Sequence, residues 1–176
     1  MKPLIVTEKL SKIYGLDGLG VPALNDVNIE ISPGEMVAIM GPSGCGKSTL
    51  MHLLGLLDTP STGRILFKDQ DISKYSEDER AIFRSKEVGF IFQQFNLLPR
   101  LSTLENVLLP TLYYRENPSG LGSSTRRVNE AARRILTEVG LEKRYSHKPN
   151  QLSGGEQQRV AIARALINEP SLILAD

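Results

Sequence analysis

The residues best suited to chemistry are the nine from Gly41 to Thr49, GPSGCGKST. Their pattern is G-x-x-x-x-G-K-[ST], in which glycines let successive backbone N–H groups curl around a phosphate. Lys47 adds a full positive charge for the outer phosphates of a nucleotide, and the Ser48 hydroxyl suits the oxygen shell of Mg²⁺. The stretch predicts a site for ATP or a similar nucleotide with Mg²⁺. Its candidate ligands are Gly41, Pro42, Ser43, Gly44, Cys45, Gly46, Lys47, Ser48 and Thr49.

A second stretch, NQLSGGEQQRVAIARAL from Asn150 to Leu166, places two glycines at the start of a predicted helix. Ser153 with Glu156 three residues later is a capping box, and an apolar stripe continues behind it. Gly154 and Gly155 are costly in an ordinary first turn, but they expose backbone N–H groups at a helix N-terminus, where anions bind. Two such helix ends in one chain suggest two domains that share a nucleotide.

The last six residues, SLILAD, are typical of a short buried strand that ends on an acidic residue. Mg²⁺ prefers hard oxygen ligands and takes few protein groups beside phosphates. Because the same chain contains a phosphate loop, Asp176 is expected to hold Mg²⁺ directly or through water. The alternative is that Asp176 only caps the end of its strand.

The elements that must position these residues alternate between short β-like runs and helical patterns. The predicted strands are Leu4–Thr7, Val27–Ile31, Met36–Met40, Ile65–Phe67, Val88–Phe92 and Leu172–Ala175. Two of them, 36–40 and 172–175, are nearly all apolar, as strands covered on both faces of a parallel sheet are. The phosphate loop follows the first of these and precedes a helix with apolar residues at Leu50, Leu53, Leu54 and Leu57.

A further helix is predicted from Thr125 to Val139, because its apolar residues share one face. Its four arginines, Arg126, Arg127, Arg133 and Arg134, lie mostly off that face. They could form a nucleic-acid patch, but a solvated face with i,i+4 ion pairs is the favoured interpretation. The preceding segment, 116–124, is predicted to be a surface loop.

The composition is that of one soluble domain. Lys and Arg number 21 and Asp and Glu 20, so the net charge of +1 gives no electrostatic reason to expect a nucleic-acid partner. The single cysteine excludes an intrachain disulfide and fits a reducing compartment. No run reaches the ~18 apolar residues of a membrane span, and the early charges do not fit a signal peptide. A cytosolic location is therefore expected.

The loop and the LSGGE motif together resemble the ATP-binding-cassette (ABC) ATPases, and the likeness runs the whole length of the chain. Tyr14 matches the aromatic residue that stacks on adenine in that family, although it could be a half-buried tyrosine at a strand end. Stacking needs the face of the ring and not its hydroxyl. Gln93 in GFIFQQFNLLP matches the Q-loop glutamine that contacts Mg²⁺ and water, and Asp176 the Walker B aspartate. Glu156 stands where the family more often has glutamine.

This resemblance implies catalytic roles for Lys47, Gln93 and Asp176, and Mg²⁺ coordination by Ser48, Gln93 and Asp176. The implied ATP-binding set comprises Tyr14, Gly41–Thr49, Gln93, Ser153, Gly154, Gly155 and Glu156. Two domains of the family pack head to tail, so that each ATP lies between the phosphate loop of one and the signature helix of the other. Ser153 and Gly155 would then bind the γ-phosphate of the partner's ATP.

The implied fold is α/β: a P-loop NTPase (RecA-like) core with an N-terminal antiparallel β subdomain and an inserted α-helical subdomain. The whole chain, 1–176, is expected to be one incomplete nucleotide-binding domain that lacks its C-terminal strands. Residues 1–92 would form the β subdomain and the phosphate-loop core. Residues 93–165 would form the helical subdomain, and 166–176 would return to the core as the Walker B strand.

The implied function is that of the ATP-binding subunit of an ABC transporter, located in the cytoplasm at the inner face of the cell membrane. ATP-driven dimerisation and hydrolysis would drive export or lipoprotein release by integral membrane subunits. The sequence GPSGCGKSTLMHLLGLLDTPSTG is most similar to those of the subgroup that powers lipoprotein release and macrolide or peptide export. The alternative is an ABC ATPase without transport, which acts in cell division, in regulation or on the ribosome.

In this family a catalytic glutamate follows the Walker B aspartate, and a switch histidine comes later. The sequence stops at Asp176, and neither His52 nor His147 fits the switch role. The expectation from the resemblance is therefore that the 176 residues are a C-terminally truncated cassette that does not turn over ATP.

Overall fold

The computed structural model describes residues 2–15, 20–112 and 121–176. The chain divides into two compact units, Met1–Arg80 and Ala81–Asp176, called here the N-terminal and C-terminal units. Each is described by itself. Most of the predicted loop 116–124 lies outside the described residues, and a helix already begins at Leu121.

Seven strands and five α-helices are assigned within the described residues. In chain order they are β1 Ile5–Tyr14, β2 Val21–Val27, β3 Glu30–Ile31, α1 Lys47–Leu54, β4 Thr62–Phe67, β5 Gln70–Asp71, α2 Glu77–Glu87, β6 Val88–Ile91, α3 Thr103–Leu108, α4 Leu121–Glu138, α5 Gly154–Leu166 and β7 Leu172–Ala175. Short 3₁₀ turns cover Leu109–Leu112 and Pro149–Gln151.

The N-terminal unit is built on an antiparallel sheet of five strands in the order β2-β1-β4-β5, with β3 also paired to β1. The core-facing side chains of β1 and β4 are fully buried, among them Ile5, Leu10 and Ile65. Helix α1 contacts β2 and buries its own apolar face. Because β1 is central and ends at Tyr14, the sheet fixes where that side chain leaves the unit.

The second strand was placed wrongly from the sequence. The predicted run Val27–Ile31 spans the gap between β2 and β3, and Val21–Val27 was not recognised as a strand. Its sequence, VPALNDV, interrupts the apolar pattern with polar residues and Pro22. A proline removes one ladder hydrogen bond, but β2 lies at the edge of the sheet, where such a loss is tolerated.

The predicted strand Met36–Met40 is also absent as a strand. The segment is assigned no regular structure, and Met36 and Met40 are 97% and 88% exposed. A β-strand requires a neighbour to complete its hydrogen-bond ladder, and no described strand pairs with this segment. Apolar composition alone therefore predicted a covered strand that the described residues do not form.

The C-terminal unit contains the parallel pair of β6 and β7, in register from Val88 opposite Leu172 to Ile91 opposite Ala175. The predicted strand 172–175 is confirmed, but the prediction that both faces are covered is wrong, since Ile173 is 47% exposed. Glycine is required in β6, because a Cβ at Gly89 would lie 2.4 Å from the carbonyl oxygen of Ala165 in α5.

Three helices, α3, α4 and α5, enclose the helical core of this unit. Its buried members are Val107, Ala132, Ile135, Leu136, Leu141, Leu152, Val160, Ala163 and Ile167. The fully buried Asn106 of α3 completes its hydrogen bonds locally: its amide donates to the carbonyls of Leu98, Leu101 and Ser102, and its oxygen accepts from the N–H of Leu98. Asn106 thus fixes the chain that leads into α3.

Leu136→Ala should destabilise the C-terminal unit by about 2–5 kcal/mol, because it opens a cavity at a fully buried position. Urea unfolding followed by circular dichroism measures the change. Leu112→Ala is the matched control, since that leucine is 57% exposed and its truncation should cost little. Equal losses for the two variants would contradict the assignment of the core.

Candidate functional site

The phosphate loop ends in a tight contact with the sheet. Gly46 is the N-cap of α1 and has a positive φ of 91°. A Cβ at this position would lie 2.3 Å from the backbone oxygen of Ala23 in β2. Only glycine fits such a backbone and such a distance. The first turn of α1, which carries Lys47 and Ser48, is therefore held directly against β2.

Lys47 folds back over the loop that precedes it. Its ammonium donates hydrogen bonds to the carbonyl oxygens of Gly41 at 3.0 Å and Pro42 at 2.8 Å. The Sγ of Cys45, an exposed free thiol, lies 3.6 Å from the same nitrogen. Carbonyl partners orient the charge without neutralising it, and the Ser48 side chain beside it is exposed. The loop thus presents a cation, a hydroxyl and a helix N-terminus together.

Tyr14 lies at the end of β1 and is 42% exposed. Its hydroxyl donates to Asp58 Oδ2 at 2.8 Å. Partial burial and the hydrogen bond to Asp58 raise the pKa of the Tyr14 hydroxyl, and the nearby Thr49 side chain opposes that rise. Tyr14 is thus held by Asp58 and lies near the last residue of the predicted loop; Asp58 was not singled out from the sequence.

Gln93 and Asp176 lie at one edge of the parallel pair in the C-terminal unit. Asp176 directly follows β7, and its N–H donates to the carbonyl oxygen of Ile91, the last residue of β6, at 3.0 Å. Gln93 is exposed in the turn two residues beyond Ile91. Since the carboxyl ends of parallel strands meet at one edge, both predicted side chains leave the sheet at the same place.

The turn that contains Gln93 continues in an unusual backbone. Phe95 and Asn96 have φ values of 59° and 48°, in the left-handed region that side chains other than glycine rarely adopt. Arg164 of α5 donates to both carbonyls, at 2.7 Å to Phe95 and 2.6 Å to Asn96. Burial lowers the pKa of Arg164. Arg164 was missed because nothing local in the sequence marks a contact across 68 positions.

The signature helix α5 begins as predicted. Ser153 is its N-cap, and a reciprocal capping box joins it to Glu156. One Glu156 oxygen accepts from the Ser153 N–H and hydroxyl, both at 2.8 Å, and the other accepts from Arg144 Nε at 2.8 Å. Arg144 first, and then the bonds from Ser153, lower the pKa of Glu156 to about 2. Arg144 is a further residue that the sequence analysis missed.

Nothing inside the described chain explains the glycines at 154 and 155. Both are exposed, a Cβ at Gly154 would meet no atom within 4 Å, and one at Gly155 would meet only an Arg159 nitrogen at 3.7 Å. Glycine at a helix position costs roughly 1 kcal/mol relative to alanine. The cost is offset if another molecule must approach this backbone closely.

The predicted site residues therefore fall into three groups. Tyr14 and the phosphate loop lie together in the N-terminal unit, and Gln93 and Asp176 share a sheet edge in the C-terminal unit. The LSGGE residues start the helix α5 at an exposed position of the latter unit. No described helix combines the length and apolar character required to cross a membrane.

Comparisons with known proteins agree with this geometry. A family model described as ABC transporter matches residues 24–176. The macrolide export ATP-binding/permease protein MacB of Syntrophobacter fumaroxidans is 48% identical over 173 residues, which are 98% of this chain and 24% of that protein. The lipoprotein-releasing system ATP-binding protein LolD of Idiomarina loihiensis is 46% identical over 173 residues, 98% of this chain and 73% of that protein. The chain thus spans about a quarter of the length of MacB and about three quarters of LolD.

Solved structures give the same result. The dimeric post-hydrolysis state of the ATP-binding cassette MJ0796 bound to ADP and Pi matches with a TM-score of 0.84 at 43% identity, covering 98% of this chain and 73% of that one. CbiO1 from Clostridium perfringens, part of an ABC transporter complex, matches with a TM-score of 0.80 at 29% identity, covering 100% and 66%. The chain belongs to the ABC transporter family, and the predicted family and P-loop α/β cassette fold are confirmed.

Arg144→Gln should raise the pKa of Glu156 from about 2 towards its ordinary value of 4.5. The depressed pKa contributes stability above pH 4.5 that is lost as the pH falls towards 2, so the variant should lose less stability over that window. Carboxyl NMR titration measures the pKa. Arg126→Gln, which breaks the exposed i,i+4 pair with Glu130, is the control and should leave Glu156 unchanged. An unaltered titration in Arg144→Gln would refute the contact.

Proposed function

We propose that the chain is the ATP-binding subunit of an ABC transporter, and that ATP draws two nucleotide-binding domains together head to tail. The observation that carries this proposal is the exposed Gly154–Gly155 backbone at the start of α5, which no contact within the described chain explains. A helix N-terminus with bare N–H groups favours an anion, and the γ-phosphate of ATP on a second copy supplies one. The dimeric MJ0796 cassette supports this arrangement.

The ATP ligands are proposed to be the predicted loop residues and Tyr14. Lys47 is already oriented by the Gly41 and Pro42 carbonyls and retains its charge for the β- and γ-phosphates. The contact between Gly46 and Ala23 keeps the loop backbone in place, so its N–H groups need not reorganise when phosphate binds. Tyr14, whose hydroxyl lies near Thr49, is the proposed platform for the adenine base.

The proposed Mg²⁺ ligands are Ser48, Gln93 and Asp176, each of which offers the hard oxygen that this ion prefers. The exposed Ser48 hydroxyl and the exposed Gln93 and Asp176 side chains have the donor chemistry required. When bound, the ion would neutralise charge on the phosphates during phosphoryl transfer. Lys47 would stabilise the same charge from the loop, Gln93 would orient water, and Asp176 would hold the ion directly or through water.

In the dimer, Ser153 and Gly155 would bind the partner's γ-phosphate. The Ser153 hydroxyl donates to Glu156 in the structure, so it must turn away from that carboxylate to donate to a phosphate. Arg144 lowers the cost of this change of hydrogen-bond partner, because its guanidinium still neutralises Glu156 when the Ser153 hydroxyl turns away. Glu156 can therefore replace the commoner glutamine without placing an uncompensated negative charge beside ATP.

Recognition of the transported cargo is assigned to the membrane subunits, not to this chain. The MacB and LolD likenesses support a role in export or lipoprotein release, with the chain on the cytoplasmic face of the cell membrane beside integral membrane subunits. Copurification from detergent-solubilised membranes separates this from a cassette in cell division, regulation or translation. Recovery with ribosomes, or with no membrane protein, would favour the latter group.

Lys47→Ala should weaken MgATP binding by more than about tenfold, because the phosphates lose their charged hydrogen-bond donor. Titration with a fluorescent ATP analogue measures this. Lys2→Ala is the control, since Lys2 forms only an exposed ion pair with Asp69 on the same unit. If Lys47→Ala retained affinity within a few-fold of the parent, the phosphate-loop assignment would be wrong.

Gly155→Ala should separate folding from dimerisation. The added methyl group meets only the Arg159 nitrogen, so the isolated protein should become more stable by up to about 1 kcal/mol. ATP-dependent dimerisation, measured by analytical ultracentrifugation, should nevertheless weaken, because the partner's phosphate can no longer approach the backbone. Gln158→Ala, at an exposed position of the same helix, should leave dimerisation unchanged. Undiminished dimerisation of Gly155→Ala would contradict the proposed interface.

A further inference from the structure

The carboxylate of Asp58, in the loop that follows α1, binds side chains at the end of β1. Asp58 Oδ2 accepts from the Tyr14 hydroxyl at 2.8 Å, and its Oδ1 accepts from Lys12 Nζ at 2.6 Å and from the Thr59 N–H at 2.7 Å. Lys12 also donates to the Thr59 carbonyl at 2.7 Å. Lys12 is 12% exposed and Asp58 28% exposed, so this ion pair is well shielded from water compared with one on an open surface.

Lys12 also limits which side of the Tyr14 ring a ligand can reach. Its ammonium lies over the ring at 4.9 Å from the centroid, within the range of a cation–π contact. One face of the ring is thus covered by a cation that Asp58 holds in place. Tyr14 is still 42% exposed, so part of the ring stays accessible to a planar ligand.

Thr49, in the first turn of α1, lies beside this cluster. Its side chain is near the Tyr14 hydroxyl and opposes the rise in the pKa of that group. The hydroxyl donates its proton to Asp58, in the loop that follows α1. The contact with Asp58 restrains the ring close to the residues proposed to hold the phosphates.

We infer that Asp58 is a positioning residue for base recognition: it fixes the Tyr14 ring and the Lys12 cation so that a single ring face stacks on the nucleotide base. The inference rests on the proposed binding of ATP at the phosphate loop. It also gives the tyrosine hydroxyl a role, although stacking itself requires only the face of the ring. Phenylalanine at position 14 would retain that face and lose the hydrogen bond to Asp58 that orients it.

The experiment compares MgATP with magnesium tripolyphosphate, which carries the phosphates without a base. Calorimetric titrations use the full chain and the variants Asp58→Ala, Tyr14→Phe and their combination. Asp58→Ala and Tyr14→Phe should each weaken ATP by about two- to tenfold, the net worth of a hydrogen bond, and leave tripolyphosphate unchanged. The double variant should bind ATP no more weakly than the single variant with the lower affinity, because both changes remove the same contact.

A structural defect would give a different result, since it would weaken the binding of both MgATP and magnesium tripolyphosphate. Asp69→Ala is the control, as Asp69 forms an exposed ion pair with Lys2 on the same unit. Asp58→Asn keeps the side-chain volume and serves as the second variant, with thermal unfolding recorded for each protein. It should also weaken the binding of ATP but not of tripolyphosphate, because an amide offers one acceptor oxygen for three donors, the Tyr14 hydroxyl, the Lys12 ammonium and the Thr59 N–H.

Three results would overturn the inference: unchanged ATP affinity in Asp58→Ala, an equal loss for tripolyphosphate, or additive losses in the double variant. They differ from the failure of the proposed function. In that case the parent protein would bind neither ligand, or Lys47→Ala would bind both as well as the parent does.

Discussion

The close approach of Gly46 to the carbonyl of Ala23 is the constraint on which the phosphate site depends. It sets the N-terminus of α1 against β2, and β2 in turn pairs with β1 so that Val21 lies opposite Tyr14. The loop proposed to hold phosphate and the ring proposed to hold the base are therefore positioned by two adjacent strands. Any side chain at position 46 would push the helix from the sheet and disturb both ends of the site together.

The charged groups of the described residues discussed above have two kinds of partner, backbone carbonyls or side chains of opposite charge. Lys47 and Arg164 donate to backbone carbonyls, which orient a cation and leave its charge intact. Glu156, in contrast, is matched by Arg144, and Asp58 by Lys12. This division fits a nucleotide site. Lys47, proposed to bind phosphate, must remain free of a carboxylate partner, whereas a carboxylate near phosphate must not add its own negative charge. Arg164 instead holds the backbone beyond Gln93.

The parts of the site that the sequence predicted are those with local causes. The phosphate loop and the capping box of Ser153 and Glu156 are each specified within a few residues. The Met36–Met40 strand failed because apolar composition does not supply a hydrogen-bonding neighbour. Asp58 and Arg164 were missed because they act across 44 and 68 positions of the chain, where only the folded register brings donor and acceptor together.

Arg164 has a mechanical consequence. Helix α5 runs for 13 residues from the signature glycines, about 20 Å at the usual rise. In its last turn, Arg164 donates hydrogen bonds to Phe95 and Asn96, the two left-handed residues that come shortly after Gln93. A helix of that length is stiff, so we expect a tilt of its N-terminal end to shift Arg164 and, with it, the carbonyls of Phe95 and Asn96. A phosphate bound at the N-terminal end would then act, through the Arg164 side chain, on the backbone beside Gln93.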